Sequence, residues 1–224
     1  MKPLANKRLA RLRNILCACA IAFGPIPAAF SAAAEGWIAL FNGKDLDGWE
    51  QLNGSAKYEA KDGCIVGTSV PNSPNSFLCT KKHYGDFELE FEVMVHAELN
   101  SGVQIRSHSK PDYRNGRVHG YQVEIAVGGF SGGIYDEARR ANFLNPEQPT
   151  DEIRNLVKKE EWNKYRIVCQ GDRIQAWVNG VKVTDVKDDM TRSGFIGLQV
   201  HGVGKRADPL QVRWRNIRLR ELKP

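Results

Sequence analysis

Residues 87–95 constrain the fold more than any other stretch. Phe87, Leu89, Phe91, Val93 and Val95 are apolar, and Glu88, Glu90, Glu92, Met94 and His96 fill the alternate positions. On a helix, apolar residues at that spacing would scatter around the axis. On a strand they fall on one face, because successive side chains point to opposite sides. The segment therefore reads as a strand with one buried face. The same reading gives strands at 37–41, 58–60, 64–67, 77–80, 102–107, 121–126, 132–135, 163–170, 173–179, 181–184, 195–201 and 211–220. Asn179-Gly180 separates two of them and suits a type I′ hairpin, whose central residues both need positive φ. One helix is expected at about 151–160, where Ile153, Leu156 and Val157 share a face and Thr150 or Asp151 can cap it. Residues 136–150 read as a long loop, and loops of that length in a compact domain are usually functional or mobile. Many strands with regular turn signals and one short helix mean an all-β sandwich or jelly roll of two antiparallel sheets. In such folds one sheet often curves and offers a polar face to ligands.

The charge balance divides the chain. Five of its 32 basic residues and none of its 26 acidic ones fall in residues 1–34, so the rest carries a net charge of +1. That weakens the electrostatic case for a nucleic-acid or anionic-membrane partner, and none is expected. The run Arg213, Arg215, Arg218, Arg220 reads as a solvated edge strand rather than a nucleic-acid patch, since Trp214 is the one aromatic residue inside it and no repeated aromatic interleaving is present. Residues 1–34 read as a cleaved signal peptide: a basic start to Arg13, an apolar stretch from Ile15 to about Ala29, and Ala32 and Ala34 before Glu35. Gly24, Pro25 and Pro27 break the apolar run, which is shorter than the ~20 residues of a membrane span. The expected location is periplasmic or extracellular, with no stable membrane insertion after cleavage. A lipoprotein anchor at Leu16-Cys17-Ala18-Cys19 is the less favoured alternative. Residues 35–224 then form a single domain.

Export implies an oxidising compartment. Cys64 and Cys79 lie on consecutive expected strands and could pair, subject to geometry. Cys169 would then be a free, buried thiol. The histidines at 83, 96, 108, 119 and 201 show no metal-binding spacing. No cofactor is called for, although a divalent metal held by residues from distant strands stays open. Oligomeric state is not legible.

Alternation also selects the residues that face away from the core. Opposite Val103 and Ile105 lie Gln104 and Arg106; opposite Val123 and Ile125 lie Gln122 and Glu124; beside Leu198 and Val200 lie Gln199 and His201. Solvated faces usually carry Lys, Glu and Thr, so Gln, Arg, Glu and His among glycines suggest a binding floor. Glu124 is the candidate base, with His201 and His119 as candidate acids or bases. Arg106 could hold an oxyanion or a sugar oxygen, or pair with Glu124. Tyr135, Asp136 and Glu137, after Gly132-Gly133, would sit at the rim.

Read together, these segments resemble the 3-keto-disaccharide hydrolase family. Leu40-Phe41-Asn42-Gly43-Lys44-Asp45-Leu46-Asp47-Gly48-Trp49 is similar to its opening signature, and Asn100-Ser101-Gly102-Val103-Gln104-Ile105-Arg106 to its central motif. Gly120-Tyr121-Gln122-Val123-Glu124-Ile125, the 132–137 stretch, Glu161-Trp162-Asn163 with Val178-Asn179-Gly180, and Gly197-Leu198-Gln199-Val200-His201 follow in the family's order. The resemblance spans roughly 37–222. It implies a concanavalin A-like jelly roll and an exported enzyme acting on glycosides oxidised at C3. Relatives often carry Asp two residues after the Glu of the Tyr-Gln-x-Glu motif, where this chain has Ala126.

That departure bears on mechanism. A retaining glycosidase needs two carboxyl groups ~5–5.5 Å apart, and the strand reading Gln122, Glu124, Ala126 cannot supply both. A 3-keto sugar offers another route. A base removes the acidified C2 proton, the enolate expels the C1 substituent, and water adds to the resulting enone. This reading makes Glu124 or His201 the base, Arg106 with Gln104 the oxyanion stabiliser and His119 the acid. Asn100, Gln122, Gln199, Tyr135, Asp136 and Glu137 would bind the carbohydrate. The alternative is a non-catalytic carbohydrate-binding module, with Trp49, Trp162 or Trp177 stacking on sugar faces.

Overall fold

A computed structural model of the chain describes residues 36–223. The signal peptide expected at residues 1–34 lies outside the described residues. Fourteen strands follow in chain order: β1 Ile38–Ala39, β2 Trp49–Leu52, β3 Lys57–Lys61, β4 Cys64–Thr68, β5 Ser76–Thr80, β6 Phe87–Val95, β7 Ser101–His108, β8 His119–Ile125, β9 Ile134–Glu137, β10 Asn163–Gln170, β11 Arg173–Val178, β12 Val181–Lys187, β13 Phe195–Val200 and β14 Gln211–Glu221. They form two antiparallel sheets. One has eight strands in the order β12-β11-β10-β6-β14-β4-β3, with β1 also on β14. The other has six, in the order β2-β5-β13-β7-β8-β9. The expected all-β sandwich of two antiparallel sheets is what forms. Among the described residues no helix is long and apolar enough to cross a membrane.

The alternation in β6 does what its pattern requires. Phe87, Leu89, Phe91, Val93 and Val95 are buried between the sheets with Val103, Ile105, Tyr121, Val123, Leu198, Trp214 and Leu219, and the Phe91 and Tyr165 rings stack at 5.1 Å. On the outer face Glu88, Glu90 and Glu92 pair with Arg220, Arg218 and Arg215. Here the sequence reading is corrected. β14 is no edge: it is hydrogen-bonded to β6 on one side and β4 on the other. A bulge between Arg215 and Arg218, with Asn216 at φ 53°, keeps all four arginines on one face. Arg215, Arg218 and Arg220 are neutralised by the glutamates, with Arg215 over Trp162 and the other two over Trp37, while Arg213 donates to Gln211 Oε1 at 3.0 Å. The arginine heads stay about a third exposed, so solvent screens these pairs and each adds little, about 0–1 kcal/mol.

Other boundaries moved for local reasons. The Asn179-Gly180 turn forms as expected, with φ 49° and 87°. β2 was not expected, because Trp-Glu-Gln-Leu shows no clear alternation. Helix α1 covers only Asp151–Arg154, not 151–160. Thr150 caps it, accepting from the Ile153 amide at 3.3 Å. Buried Asn163 then takes the Lys158 amide and the carbonyls of Lys158 and Glu161 with its own side chain. Those bonds draw the backbone away from helical pairing. Cys64 and Cys79 do not pair: they sit on strands of different sheets and both are free thiols. Cys169 is free and buried, and desolvation pushes its thiol up to about 12.

Candidate functional site

The outer face of the six-stranded sheet carries Gln104 on β7, Gln122 and Glu124 on β8, and Gln199 on β13. The part of it over β5 and β13 is covered by the segment leading into β8. Val118 packs on Phe77, Cys79 and Phe195. The Val118 amide donates to Asn53 Oδ1 at 2.7 Å, and Asn53 Nδ2 donates to the Gly116 carbonyl at 3.0 Å. Beside this cover a cavity of about 290 Å³ remains. Its lining is Glu124 and Gln122 from β8, Tyr135 and Glu137 from β9, His201 after β13, Asn100 before β7, Asn75 before β5, Arg117 before β8, and Phe143 from the loop after β9.

The floor is a chain of hydrogen bonds ending on a carboxylate. Ser107 Oγ donates to Gln104 Oε1 at 2.7 Å, Gln104 Nε2 to Gln122 Oε1 at 2.8 Å, and Gln122 Nε2 to Glu124 Oε2 at 3.1 Å. Asn100 Nδ2 donates to Glu124 Oε1. The Gln122 side chain lies across Gly102, where a Cβ would stand 2.5 Å from its Cδ. The glycine of the Ser-Gly-Val-Gln motif is thus the space in which Gln122 holds Glu124. Burial raises the Glu124 carboxyl above its ordinary range, and the Glu137 charge adds to this. The bonds from Asn100 and Gln122, and His201, oppose it. Glu137 is also raised by burial, against Arg117, His201 and Asn75. Arg117 Nη2 lies 3.6 Å from Glu137 Oε1. The Tyr135 hydroxyl is raised by burial and by Glu137 and Glu124, so it stays protonated. His201 Nδ1 bonds the Gly202 carbonyl at 2.9 Å. A carbonyl only accepts, so Nδ1 carries a proton and Nε2 is the ring nitrogen left free of that bond.

Glu124, His201, Asn100, Gln122, Tyr135 and Glu137 therefore come together. Gln104 and Gln199 lie beneath, fully buried. Gln104 supports Gln122, while the side-chain amide of Gln199 has no partner among the described residues. Arg106, His119 and Asp136 do not line the cavity. Arg106 has φ 47° at a break in the β7–β8 register, which turns its side chain out of the alternation. Its guanidinium is fully buried and bonds the carbonyls of Gly85 and Gly171 and Asp86 Oδ1, each at 2.8 Å. It fastens the six-stranded sheet to turns of the other sheet. His119 is buried against the Tyr113 ring, centroids 4.0 Å apart, and Nδ1 bonds the Arg117 carbonyl. Asp136 shares the inward face of β9 with Ile134 and is held by Arg139 and Arg140. Trp49 is buried with Nε1 on the Leu40 carbonyl. Trp162 and Trp177 lie under Arg215 and Arg166 on the other sheet.

Asn75, Arg117 and Phe143 are pocket residues that the sequence did not reveal. Asn75 and Arg117 lie in segments without periodicity. Phe143-Leu144 carried a signal, an apolar pair inside a stretch of turn residues. Among the described residues no cluster of His, Cys, Asp or Glu is arranged to hold a metal ion.

A family model described as a 3-keto-alpha-glucoside-1,2-lyase-like domain matches residues 36–220. No curated protein matches the sequence. A crystal structure of a putative glycosyl hydrolase from Parabacteroides distasonis superposes with a TM-score of 0.63 at 19% identity, covering 87% of this chain and 98% of that one. A second putative glycosyl hydrolase from the same organism gives 0.54 at 24% identity, covering 84% and 100%. The carbohydrate binding module CBM66 from Bacillus subtilis gives 0.55 at 16% identity, covering 78% and 96%. At these identities the likeness is one of fold.

Proposed function

Starting from the fact that the chain belongs to the 3-keto-alpha-glucoside-1,2-lyase-like domain family, a carbohydrate-acting family, we propose that it is an exported enzyme cleaving 3-keto-glycosides. The route is C2 proton abstraction, β-elimination of the C1 substituent and hydration, a net hydrolysis. The observation that carries this reading is the Glu124 carboxyl. It is buried at the floor of a polar cavity, oriented through both oxygens by Asn100 and Gln122, and raised toward the range of a working base.

In this reading Glu124 takes the C2 proton. The C2–H electrons form the enolate C2=C3 bond, and the ketone oxygen becomes an oxyanion. Arg117 is the cation in the cavity that can face that oxygen, a role the sequence reading had given to Arg106. The enolate then expels the C1 substituent. His201 or Glu137 delivers its proton, a role previously given to His119. Asn75, Asn100 and Tyr135 supply partners for sugar hydroxyls. Water adding at C1 with a proton at C2 completes the reaction. The basic start, apolar stretch and small residues of 1–34, read as a cleaved leader, support a periplasmic or extracellular location.

Glu137 also supports a second reading. It adds to Glu124 the second carboxyl that the β8 strand lacks, as ordinary glycoside hydrolysis requires. Turnover of matched glucosides with and without oxidation at C3 separates the two. The proposed reaction requires cleavage of the 3-keto form alone, lost in Glu124→Gln. Equal cleavage of the unoxidised glucoside would support conventional hydrolysis. Binding of saccharide without turnover of either would support a binding module.

A further inference from the structure

One wall of the cavity differs in kind from the rest. Asn75, Asn100, Arg117, Gln122, Glu124, Glu137 and His201 are polar, whereas Phe143 is apolar and Tyr135 presents a ring. The Phe143 ring lies 5.3 Å from that of Tyr135 at 66°, and 5.0 Å from buried Phe130 at 39°. These are edge-to-face and tilted geometries in which aromatic rings attract. Phe143 and Tyr135 are half-buried and keep surface toward the cavity.

The shelf is held rigidly. The Asp136 amide donates to the Asn142 carbonyl at 3.0 Å, and the Leu144 amide to the Ile134 carbonyl at 2.8 Å. Asn145 Oδ1 accepts from the Ile134 amide, and its Nδ2 donates to Thr184 Oγ1, both at 2.8 Å. Residues 142–145 thus run as an extra rung beside β9, and Leu144 packs on the core. A ring fixed in this way loses little freedom when a ligand arrives.

We propose that Phe143 and Tyr135, backed by Phe130, form the subsite for the leaving group and that it takes an aromatic ring, so that aryl 3-keto-glycosides are preferred over those with a second sugar. The proposal rests on the reaction assigned above and deepens it. The cavity is at the small end of ligand sites, with room for one sugar ring and the start of its substituent. The polar lining meets the hydroxyls of that ring. A second sugar could lay one carbon face on Phe143, but the Phe143 and Phe130 rings offer no hydrogen-bond partners for its remaining hydroxyls, which is unfavourable where they lose water. A flat aromatic substituent has no such need, and adds one more ring to an existing cluster.

The test compares phenyl, methyl and glucosyl 3-keto-glucosides with the wild-type chain, Phe143→Leu and Phe143→Ala. Intrinsic leaving-group reactivity cancels when each variant is compared with wild type on the same substrate. The expected result is a loss of kcat/KM about three- to tenfold greater for the phenyl substrate than for the other two, carried by KM, with Phe143→Tyr restoring it. Phe143→Leu keeps apolar bulk against Phe130, so it reads the ring rather than the fold. Equal losses on all three substrates, or none, overturn the subsite. If wild type turns over none of them, the assigned reaction fails, and the subsite is read by binding of phenyl and methyl glucoside. Weaker phenyl glucoside binding by Phe143→Leu, relative to methyl glucoside, then sustains the subsite. Unchanged relative binding overturns it.

Discussion

Replacing Arg106 with methionine separates a structural arginine from a catalytic one. Its guanidinium is fully buried, makes three hydrogen bonds and pairs with Asp86. Methionine keeps much of the stem but strands two carbonyls and a carboxylate. Breaking a buried ion pair by removing one partner costs about 3–5 kcal/mol. The Asp86 side chain is 20% exposed and still accepts from the Gly171 amide, so part of its charge is resolvated and the lower figure, about 3 kcal/mol, applies. For a domain of this size 1 kcal/mol moves Tm by roughly 2–4 °C. Arg106→Met should therefore lower Tm by about 6–12 °C. Thermal unfolding gives the Tm, and turnover of a 3-keto-glucoside well below it gives kcat/KM. The expected turnover is within about threefold of wild type, since removal of a direct electrostatic stabiliser costs roughly 10²–10³. An unchanged Tm with a hundredfold loss of kcat/KM would refute this reasoning and return Arg106 to the chemistry.

Further expectations follow from the same cavity. Glu124→Gln should lower kcat by about 10²–10⁴ with the fold intact by circular dichroism. Because burial and Glu137 raise Glu124, the acidic limb of kcat/KM should lie above the ordinary carboxylate value of about 4.3. Glu137→Gln removes a negative neighbour and should shift that limb to lower pH; an upward shift or none contradicts the coupling. A carboxyl raised by folding binds its proton more tightly in the native state, so its ionisation lowers stability as pH rises above the ordinary carboxylate range. Glu137→Gln should therefore stabilise the protein more at pH 7 than at pH 4, as measured by denaturant midpoints. Gly102→Ala should keep the fold but displace Gln122, the side chain its Cβ would strike, and lower kcat more than it raises KM. Peptide mapping without reduction should recover Cys64 and Cys79 unlinked.

The sheets were legible because a buried face imposes period two on the chain, as in Phe87 to Val95, and because Asn179-Gly180 can meet the φ demands of its turn. The polar floor was legible by the same alternation, which placed Gln104, Gln122, Glu124 and Gln199 on one face. Alternation failed where the backbone left it. Positive φ at Arg106 sent that side chain between the sheets, and Asn216 restored the arginines of β14 to one face after a bulge. Asp136 was misplaced because β9 extends to Glu137, so strict alternation turns Asp136 inward while Tyr135 and Glu137 face the cavity. Arg117 and Asn75 reach the pocket through loop paths that no local period encodes. The second carboxyl was unreadable for a related reason: it belongs to a neighbouring strand, and only sheet order brings Glu137 beside Glu124.

The central claim is that Glu124 removes a proton from C2. It is tested most directly by following the wild-type chain and a 3-keto-glucoside in deuterated water by NMR, with 3-keto-glucose alone as the exchange control. The account predicts that aglycone release is accompanied, step for step, by an enone or by deuterium at C2 of the released sugar, above the control, and that Glu124→Gln abolishes both. Because the abstracted proton can also return to C2 unexchanged, the contradicting result is release of a sugar that has kept its C2 proton at a rate that Glu124→Gln leaves unchanged.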